Sequence, residues 1–553
     1  MINQAGANYL ISKEHRSEFK AAFPNSMAIA YPAYHRILKQ KGYRDANLSL
    51  LTMSKRLRKH GLNLSWDDDD IKTWCEAKSS AMNSAIKTAV DEEMSLSRCK
   101  AELDKFDIDM PEPQIDSIYE PVFARLSCPK WWRRQVRKLQ ARELDQLSRD
   151  LKIVNRKDQI YISNEVLNRK RQQNTRNRKL LEAMVAENGE GQQYTLAELS
   201  DLSTSKPSNR RNELMVRLDG FQQYADKKGH VAMFYTVTCP SRFHVFSGFQ
   251  ENKKYKGEGV RSAQKYLSGV WSRVRAKFGR DGVRCYGFRV AEPHHDGCPH
   301  WHYLLWFESE QQAGKATAIL RYYALQDSGD ELGAKKYRFD KEKIDRSKGS
   351  AVAYIAKYIS KNIDGYGVDA DLYGHDAKQS AERICAWASC YGIRQFQQIG
   401  GASVTVWREL RRIRYGNGGE RLGGLVEAAQ ANDWALYTEL MGGGFVGRED
   451  QPVRAAYWLE YDPETGEDMS KPFTEYGDIS KGKLFGVRCD GVHHLTREYV
   501  WEVKRWDSES KESSEQDDYL HQQYMGKVRV HDDIRRFKFW GFGGQSPTLE
   551  FYQ

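Results

Sequence analysis

Along the first two hundred residues, apolar side chains recur every three to four positions near 26–40, 45–60, 70–104 and 130–152. That rhythm predicts a mainly helical region, interrupted by the loop Met110-Pro-Glu-Pro113. From about residue 215 strand and helix periods alternate. Strands are predicted at 232–238, 283–292, 300–307 and 336–341, and helices at 259–278, 310–326 and 348–362. This β-α-β-β-α-β order is that of a ferredoxin-like, RRM-like sheet, mostly antiparallel, with helices expected on one face. The string Gly416-Asn-Gly-Gly-Glu-Arg-Leu-Gly-Gly424 marks a flexible junction. A helix from Leu425 to Met441 is expected beyond it, then turn-rich sequence and a polar stretch, Asp507 to Asp518, read as a mobile loop. The expected fold class is therefore α+β. An accessory helical domain spans 1–205, a catalytic domain 206–416 and a C-terminal accessory region 417–553.

Composition narrows the class. At 553 residues the chain is too long for one ordinary domain, and 40% apolar with 29% charged residues excludes collagen-like, coiled-coil and wholly disordered chains. The formal charge of +11 is unevenly spread. Residues 125–179 hold 17 basic and 5 acidic side chains, a net of +12, so everything else sums to −1. In the first half of that window Val136, Leu139, Leu144, Leu147 and Leu151 make an apolar stripe, with Arg134, Lys138, Arg142 and Arg149 expected opposite. Lys130, Arg133, Arg134, Arg137, Lys138, Arg169, Lys170, Arg171, Arg176, Arg178 and Lys179 are the candidate phosphate contacts, set against the plainer reading of a solvated surface helix. Nine cysteines without a C-x-x-C pair fit reduced thiols in a cytosol and no zinc ribbon. The N-terminal sequence lacks a signal-peptide apolar core, and no run long enough to span a membrane occurs, so a cytoplasmic protein is expected.

The central region carries the candidate chemistry. In His300-Trp-His302 the strand period of two puts both imidazoles on one face and Trp301 and Tyr303 on the other. Asp296-Gly297 supplies a hairpin turn, and Glu292 on the preceding strand completes a His-His-carboxylate set with open positions. His294, His295 and Asp296 compete as ligands but read as turn residues, either solvent-exposed or placed behind the ligands. In Ala351-Val-Ala-Tyr-Ile-Ala-Lys-Tyr-Ile-Ser-Lys-Asn-Ile363, Val352, Ile355, Ile359 and Ile363 form an apolar stripe. Tyr354 and Tyr358 fall roughly opposite, alongside Lys357 and Lys361. Two phenols one turn apart beside lysines suit paired nucleophiles attacking phosphodiesters, with lysine offsetting developing charge. A further string, Gly477-Asp-Ile-Ser-Lys-Gly-Lys-Leu484, fits G-x-x-x-x-G-K but has Leu484 where a P-loop needs a hydroxyl, so ATPase function is not expected.

Three segments carry a resemblance. Phe234-Tyr-Thr-Val-Thr-Cys-Pro-Ser-Arg-Phe-His244, Glu292-Pro-His-His-Asp-Gly-Cys-Pro-His-Trp-His302 and Tyr354-Ile-Ala-Lys-Tyr-Ile-Ser-Lys-Asn362 resemble, in order and spacing, the three motifs of HUH endonucleases. More narrowly they resemble the replication gene A proteins of P2-like bacteriophages, strongly over 230–365. The resemblance implies an initiator of rolling-circle replication that nicks origin DNA. Tyr354 or Tyr358 would become joined to the 5′ end, a 3′-OH would be released, and the second tyrosine would close the circle later. It also implies Mg²⁺ or Mn²⁺ at Glu292, His300 and His302, where the His pair alone would equally admit Zn²⁺. Thr236 and Thr238 correspond to first-motif positions that shape the floor of the site, contact DNA or serve the strand alone. The implied setting is a bacterial cytoplasm, with origin DNA and a host helicase and polymerase as partners. A transposase with the same paired tyrosines and a non-catalytic origin-binding protein are the alternatives.

Overall fold

The computed structural model describes residues 4–505 apart from 115–117, 249, 346, 348–349, 368–369, 372, 414–418, 459–473 and 479–481. The polar stretch from Asp507 to Asp518 lies outside them. Helices dominate the first two hundred residues, as the periodicity predicts. The longest, α1 (Pro129–Asp150), starts with proline at its first position, where the missing N–H is no loss. Trp131, Trp132, Val136, Leu139, Leu144 and Leu147 enter a core shared with the preceding helices, and Leu151 packs against it. Helix α2 (Asn164–Glu182) follows; its residues 171–180 are all exposed. A small sheet missed by the periodicity pairs Met184–Asn188 with both Gln193–Thr195 and the distant Trp501–Arg505.

Helix α3 (Pro207–Lys228), stopped by Gly229 in the left-handed region, leads into a five-stranded sheet. Its strands are β1 (Val231–Thr238), β2 (Tyr286–Pro293), β3 (Pro299–Phe307), β4 (Phe339–Lys343) and β5 (Phe396–Ile399), every neighbouring pair antiparallel and ordered 4-1-3-2-5. Between strands lie α4 (Val260–Arg280), α5 (Glu310–Leu325), α6 (Ala351–Ile363) and α7 (Ala377–Tyr391). The chain is a mixed α and β protein with antiparallel sheets.

Helices cover both faces of the sheet, not the one face expected from the element order. On one side Met233, Tyr235, Val237, Trp301, Tyr303 and Leu305 pack with Leu267, Val270 and Trp271 of α4, Ala316 and Leu320 of α5 and Trp387 of α7. On the other, Phe234, Phe288, Val290, Leu304 and Trp306 pack with Leu218 and Phe221 of α3 and Ile355 and Ile359 of α6. The physical cause is in the strands: β2 and β3 carry apolar side chains on both faces, and every residue of β2, Arg289 included, is buried, so each face needs a cover. Side chains from Ile160 to Leu167 join the first core and side chains from Leu422 to Cys489 the second, so packing crosses the segment limits near 205 and 416. The expected helix from Leu425 to Met441 is two helices, Gly419–Gln430 and Trp434–Leu440, separated where Asn432 takes a positive φ of 58°. Where a P-loop needs a helix after its Gly-Lys pair, Lys483 opens the strand Lys483–Cys489. No described helix is long and apolar enough to cross a membrane.

Candidate active site and cation-binding triad

Register builds the site. Across three strands Thr238 faces His300, which faces Glu292, and Thr236 faces His302, which faces Val290. One ligand atom from each of Glu292, His300 and His302 lies within 4.8 Å of the others. Glu292 Oε2 stands 3.7 Å from Nε2 of both imidazoles. Thr236 Oγ1 is 3.0 Å from His302 Nδ1, which turns Nε2 toward the carboxylate, and that buried Nε2 has no hydrogen-bond partner. Two imidazoles and a carboxylate converging with one orphaned ring nitrogen fit a divalent cation.

Helix α6 closes the site from above. It starts with Ser350 Oγ accepting from Val352 N–H at 3.1 Å, and Ile355 and Ile359 hold it on the sheet. Its last turn meets the triad: Lys361 Nζ is 3.5 Å from Glu292 Oε2, and the Asn362 amide donates to Glu292 Oε1 and, at 2.6 Å, to the Tyr358 carbonyl. Burial alone would raise the Glu292 carboxyl, but Lys361, His302 and Asn362 outweigh it and hold the group at about 2. Burial, then the neighbouring His294, His302 and Lys361, keeps His300 neutral, which leaves its nitrogens available as ligands.

The two tyrosines occupy different surroundings. Tyr358 stacks on His302, with ring centroids 4.3 Å apart and planes 29° apart, and on Phe234 at 5.8 Å. Burial, then the charges of Glu292, Glu342 and Asp340, pushes its phenol well above the usual value. The Tyr354 hydroxyl donates to Glu342 Oε1 at 2.8 Å. Burial and that carboxylate raise this phenol as well. Sequence periodicity puts both rings on the solvent side of the helix; in the structure both are half-buried and pack against the core beneath α6. The lysines separate too, because Lys361 is buried on Glu292 whereas Lys357 is exposed.

Of the two places expected for the hairpin turn, solvent or a position behind the ligands, the structure shows the second. Asp296 is 1% exposed: its carboxylate accepts from Val245 N–H at 2.8 Å and lies 3.5 Å from His244 Nδ1. Residues from both sides in sequence cover the turn, with the Tyr161 N–H donating to the His295 carbonyl at 3.2 Å and Trp387 Nε1 to the Gly297 carbonyl at 2.9 Å. Gly297 has φ +82°, and a Cβ there would stand 2.8 Å from the Tyr161 carbonyl oxygen, so the turn admits only glycine without rearrangement. Arg149, expected on a solvated face, is fully buried and donates through Nε to the Asp296 carbonyl at 2.8 Å. His294 stacks 4.1 Å from His300, and burial first, then the charge of His244, pushes it down to about 3.

Among the described residues the basic window divides into cations that form ion pairs and exposed cations that form none. Arg133 and Arg137 pair with Asp68, Arg169 with Glu165, Arg171 with Glu382, and Arg178 with Glu182 and Asp201. Lys130, Arg134, Lys138, Arg176 and Lys179 are exposed. Burial and the neighbouring Arg142, Arg134 and Arg261 lower the Lys138 ammonium, the mark of a like-charged cluster. Sequence reasoning missed Asn362, Glu342 and Arg149 as site residues. A two-residue step back from Ile344 along β4 was the signal for Glu342; nothing local marked the other two.

An antiparallel sheet bearing two histidines and a carboxylate under a helix with paired tyrosines defines the class of molecule: a mixed α and β protein with a candidate cation site. The chain belongs to the bacteriophage replication gene A protein (GPA) family, whose model matches residues 68–366. It is 40% identical over 398 residues to the replication gene A protein of Escherichia phage 186, covering 69% of this chain and 56% of the relative. It is 39% identical over 391 residues to the replication protein of Haemophilus phage HP1, covering 69% and 48%. It is also 35% identical over 397 residues to a probable replication endonuclease from a prophage-like region of Salmonella paratyphi A, covering 68% and 49%. The chain thus spans about half the length of these curated relatives. No solved structure matches.

Proposed function

We propose that the protein is a replication endonuclease of the HUH type, which nicks one strand of origin DNA and later rejoins it through a tyrosyl–DNA ester. The observation that carries this is the seating of Tyr358 directly on the triad histidine His302, with a second phenol, Tyr354, one helical turn away. The strand order 4-1-3-2 within the sheet, that of the split βαβ arrangement, supports the same reading. So do relatives named replication gene A protein and probable replication endonuclease.

In this mechanism the chain's own residues do most of the work. Glu292, His300 and His302 would hold a divalent cation, which supplies Lewis-acid polarisation of a non-bridging phosphate oxygen. Thr236 fixes the His302 ring, and Asn362 and Lys361 fix the Glu292 carboxylate. Both phenols stand above their ordinary pKa, so attack requires proton removal at the moment of reaction rather than a standing phenolate. The tyrosine oxygen then bonds to phosphorus, the bond to the 3′ oxygen breaks, and the ester stores the energy for rejoining without ATP. A host helicase would separate the strands.

Incubation with labelled single-stranded origin oligonucleotide and Mn²⁺ tests this on a denaturing gel. A covalent adduct is expected from the native chain and none from Tyr354→Phe/Tyr358→Phe. His300→Ala is expected to lose cleavage by about 10²-fold or more while still binding DNA. An undiminished adduct in the double variant contradicts the proposal. The alternative of a non-catalytic origin-binding protein predicts binding with no adduct under any condition.

A further inference from the structure

From the surroundings of Tyr354 we infer that Glu342 is a catalytic residue for one of the two tyrosines, the proton acceptor of Tyr354 and not of Tyr358. The inference rests on the nicking function proposed above. Glu342 lies on β4 opposite Phe234 of β1, the residue whose ring touches Tyr354, Tyr358 and His302. Strand alternation therefore points its carboxylate to the face that carries the triad, but from the sheet edge, with two strands between it and the strand of Glu292. There it accepts from the Tyr354 hydroxyl at 2.8 Å, the heavy-atom separation general-base catalysis requires. No hydrogen bond reaches the Tyr358 phenol among the described residues, and Glu292, the carboxylate whose charge acts most on it, is already engaged by Lys361 and Asn362. One site thus supplies two phenols with different means of ionisation.

The step balances. As the Tyr354 oxygen forms its bond to phosphorus, its proton passes to Glu342; the bond from phosphorus to the 3′ oxygen breaks, and that oxygen takes a proton from water. In rejoining, the 3′-OH attacks phosphorus and passes its proton to water, the bond from phosphorus to the tyrosine oxygen breaks, and Glu342 returns its proton to the departing phenolate.

Single-tyrosine backgrounds separate the two routes. In Tyr358→Phe, where only Tyr354 can react, Glu342→Gln keeps size and an oxygen acceptor but removes basicity. It is expected to slow adduct formation on single-stranded origin oligonucleotide with Mn²⁺ by about 10²-fold or more. Glu342→Asp is expected to recover part of that loss. In Tyr354→Phe, where only Tyr358 can react, Glu342→Gln is expected to change the rate by less than about threefold, which also shows that the variant folds. Equal slowing in both backgrounds, or no slowing in Tyr358→Phe, would overturn the assignment. An adduct from Tyr354→Phe but never from Tyr358→Phe would overturn it alone, whereas no adduct from either parent would overturn the nicking function and this inference with it.

Discussion

Thr236 shows how much of the candidate site depends on residues that touch no substrate. Among the described residues its hydroxyl is the only partner of His302 Nδ1, and a metal-ligating histidine owes its orientation to what its second nitrogen meets. Thr236→Val keeps the β-branched shape and removes that partner. We expect Mn²⁺ affinity to fall about 10–100-fold by calorimetry, with little change in melting temperature; unchanged affinity contradicts the role. Protonation makes a second prediction. His294 (about 3), His295 and His300 are held below their ordinary 6.5. Between the folded and unfolded values the unfolded chain binds protons that the folded one does not, so stability must fall as pH drops below 6.5. Glu292, held at about 2 against an ordinary 4.5, adds a loss of the same sign as pH falls through that window. His244 opposes this trend: burial works against its charge, but Cys298 and Asp296 raise it above 6.5, so its contribution is present at low pH and lost on the alkaline side. Three histidines outnumber one, and thermal midpoints are expected to drop between pH 7 and pH 5. A rise would contradict the buried, neutral state of His294, His295 and His300. Legibility at this scale followed chemistry. Glu292, His300 and His302 were readable because strand period and hairpin place them together, whereas Asn362 and Glu342 act through neighbours that only the tertiary packing supplies.

Helix α6 depends on its apolar stripe to place everything else. Val352, Ile355, Ile359 and Ile363 are buried as their spacing predicts, and the tyrosines ride at the edge of that contact. Ile355 is 0% exposed, so Ile355→Ala is expected to cost about 2–5 kcal/mol in denaturant unfolding. It should also loosen the seating of Tyr358 on His302. The same helix shows where a periodicity argument stops. A helical wheel separates the tyrosines from the aliphatic stripe, yet a half-buried aromatic ring is long enough to reach the sheet from a flank position. Strand boundaries were legible to within a few residues because β2 and β3 are apolar on alternating and, beyond the site, on both faces. The cover on the second face was not, since it comes from α3 and the C-terminal helices, distant in sequence.

At the scale of the molecule, the +12 window does two jobs that charge counting merges. Arg149 donates to the hairpin turn beneath the triad, and Arg133, Arg137, Arg169, Arg171 and Arg178 pair within the protein. Lys130, Arg134, Lys138, Arg176 and Lys179 are exposed and form no ion pair among the described residues, and we propose them as the phosphate contacts. Replacing Lys130, Arg134, Lys138, Arg176 and Lys179 by alanine is expected to weaken duplex binding and to flatten its salt dependence by about 0.9 per lost phosphate contact. Replacing the paired arginines should change that slope less; the opposite ranking would contradict the division. The central claim, however, is covalent chemistry at two named tyrosines, and the sequence provides a direct way to see it. Trypsin cuts after Lys348, Lys357 and Lys361, which puts Tyr354 and Tyr358 on separate peptides. Mass spectrometry of a nuclease-trimmed, trypsin-digested adduct formed with Mn²⁺ should find the nucleotide mass on 349–357, on 358–361 or on both. A nucleotide mass on any other peptide, or on none, would contradict the account.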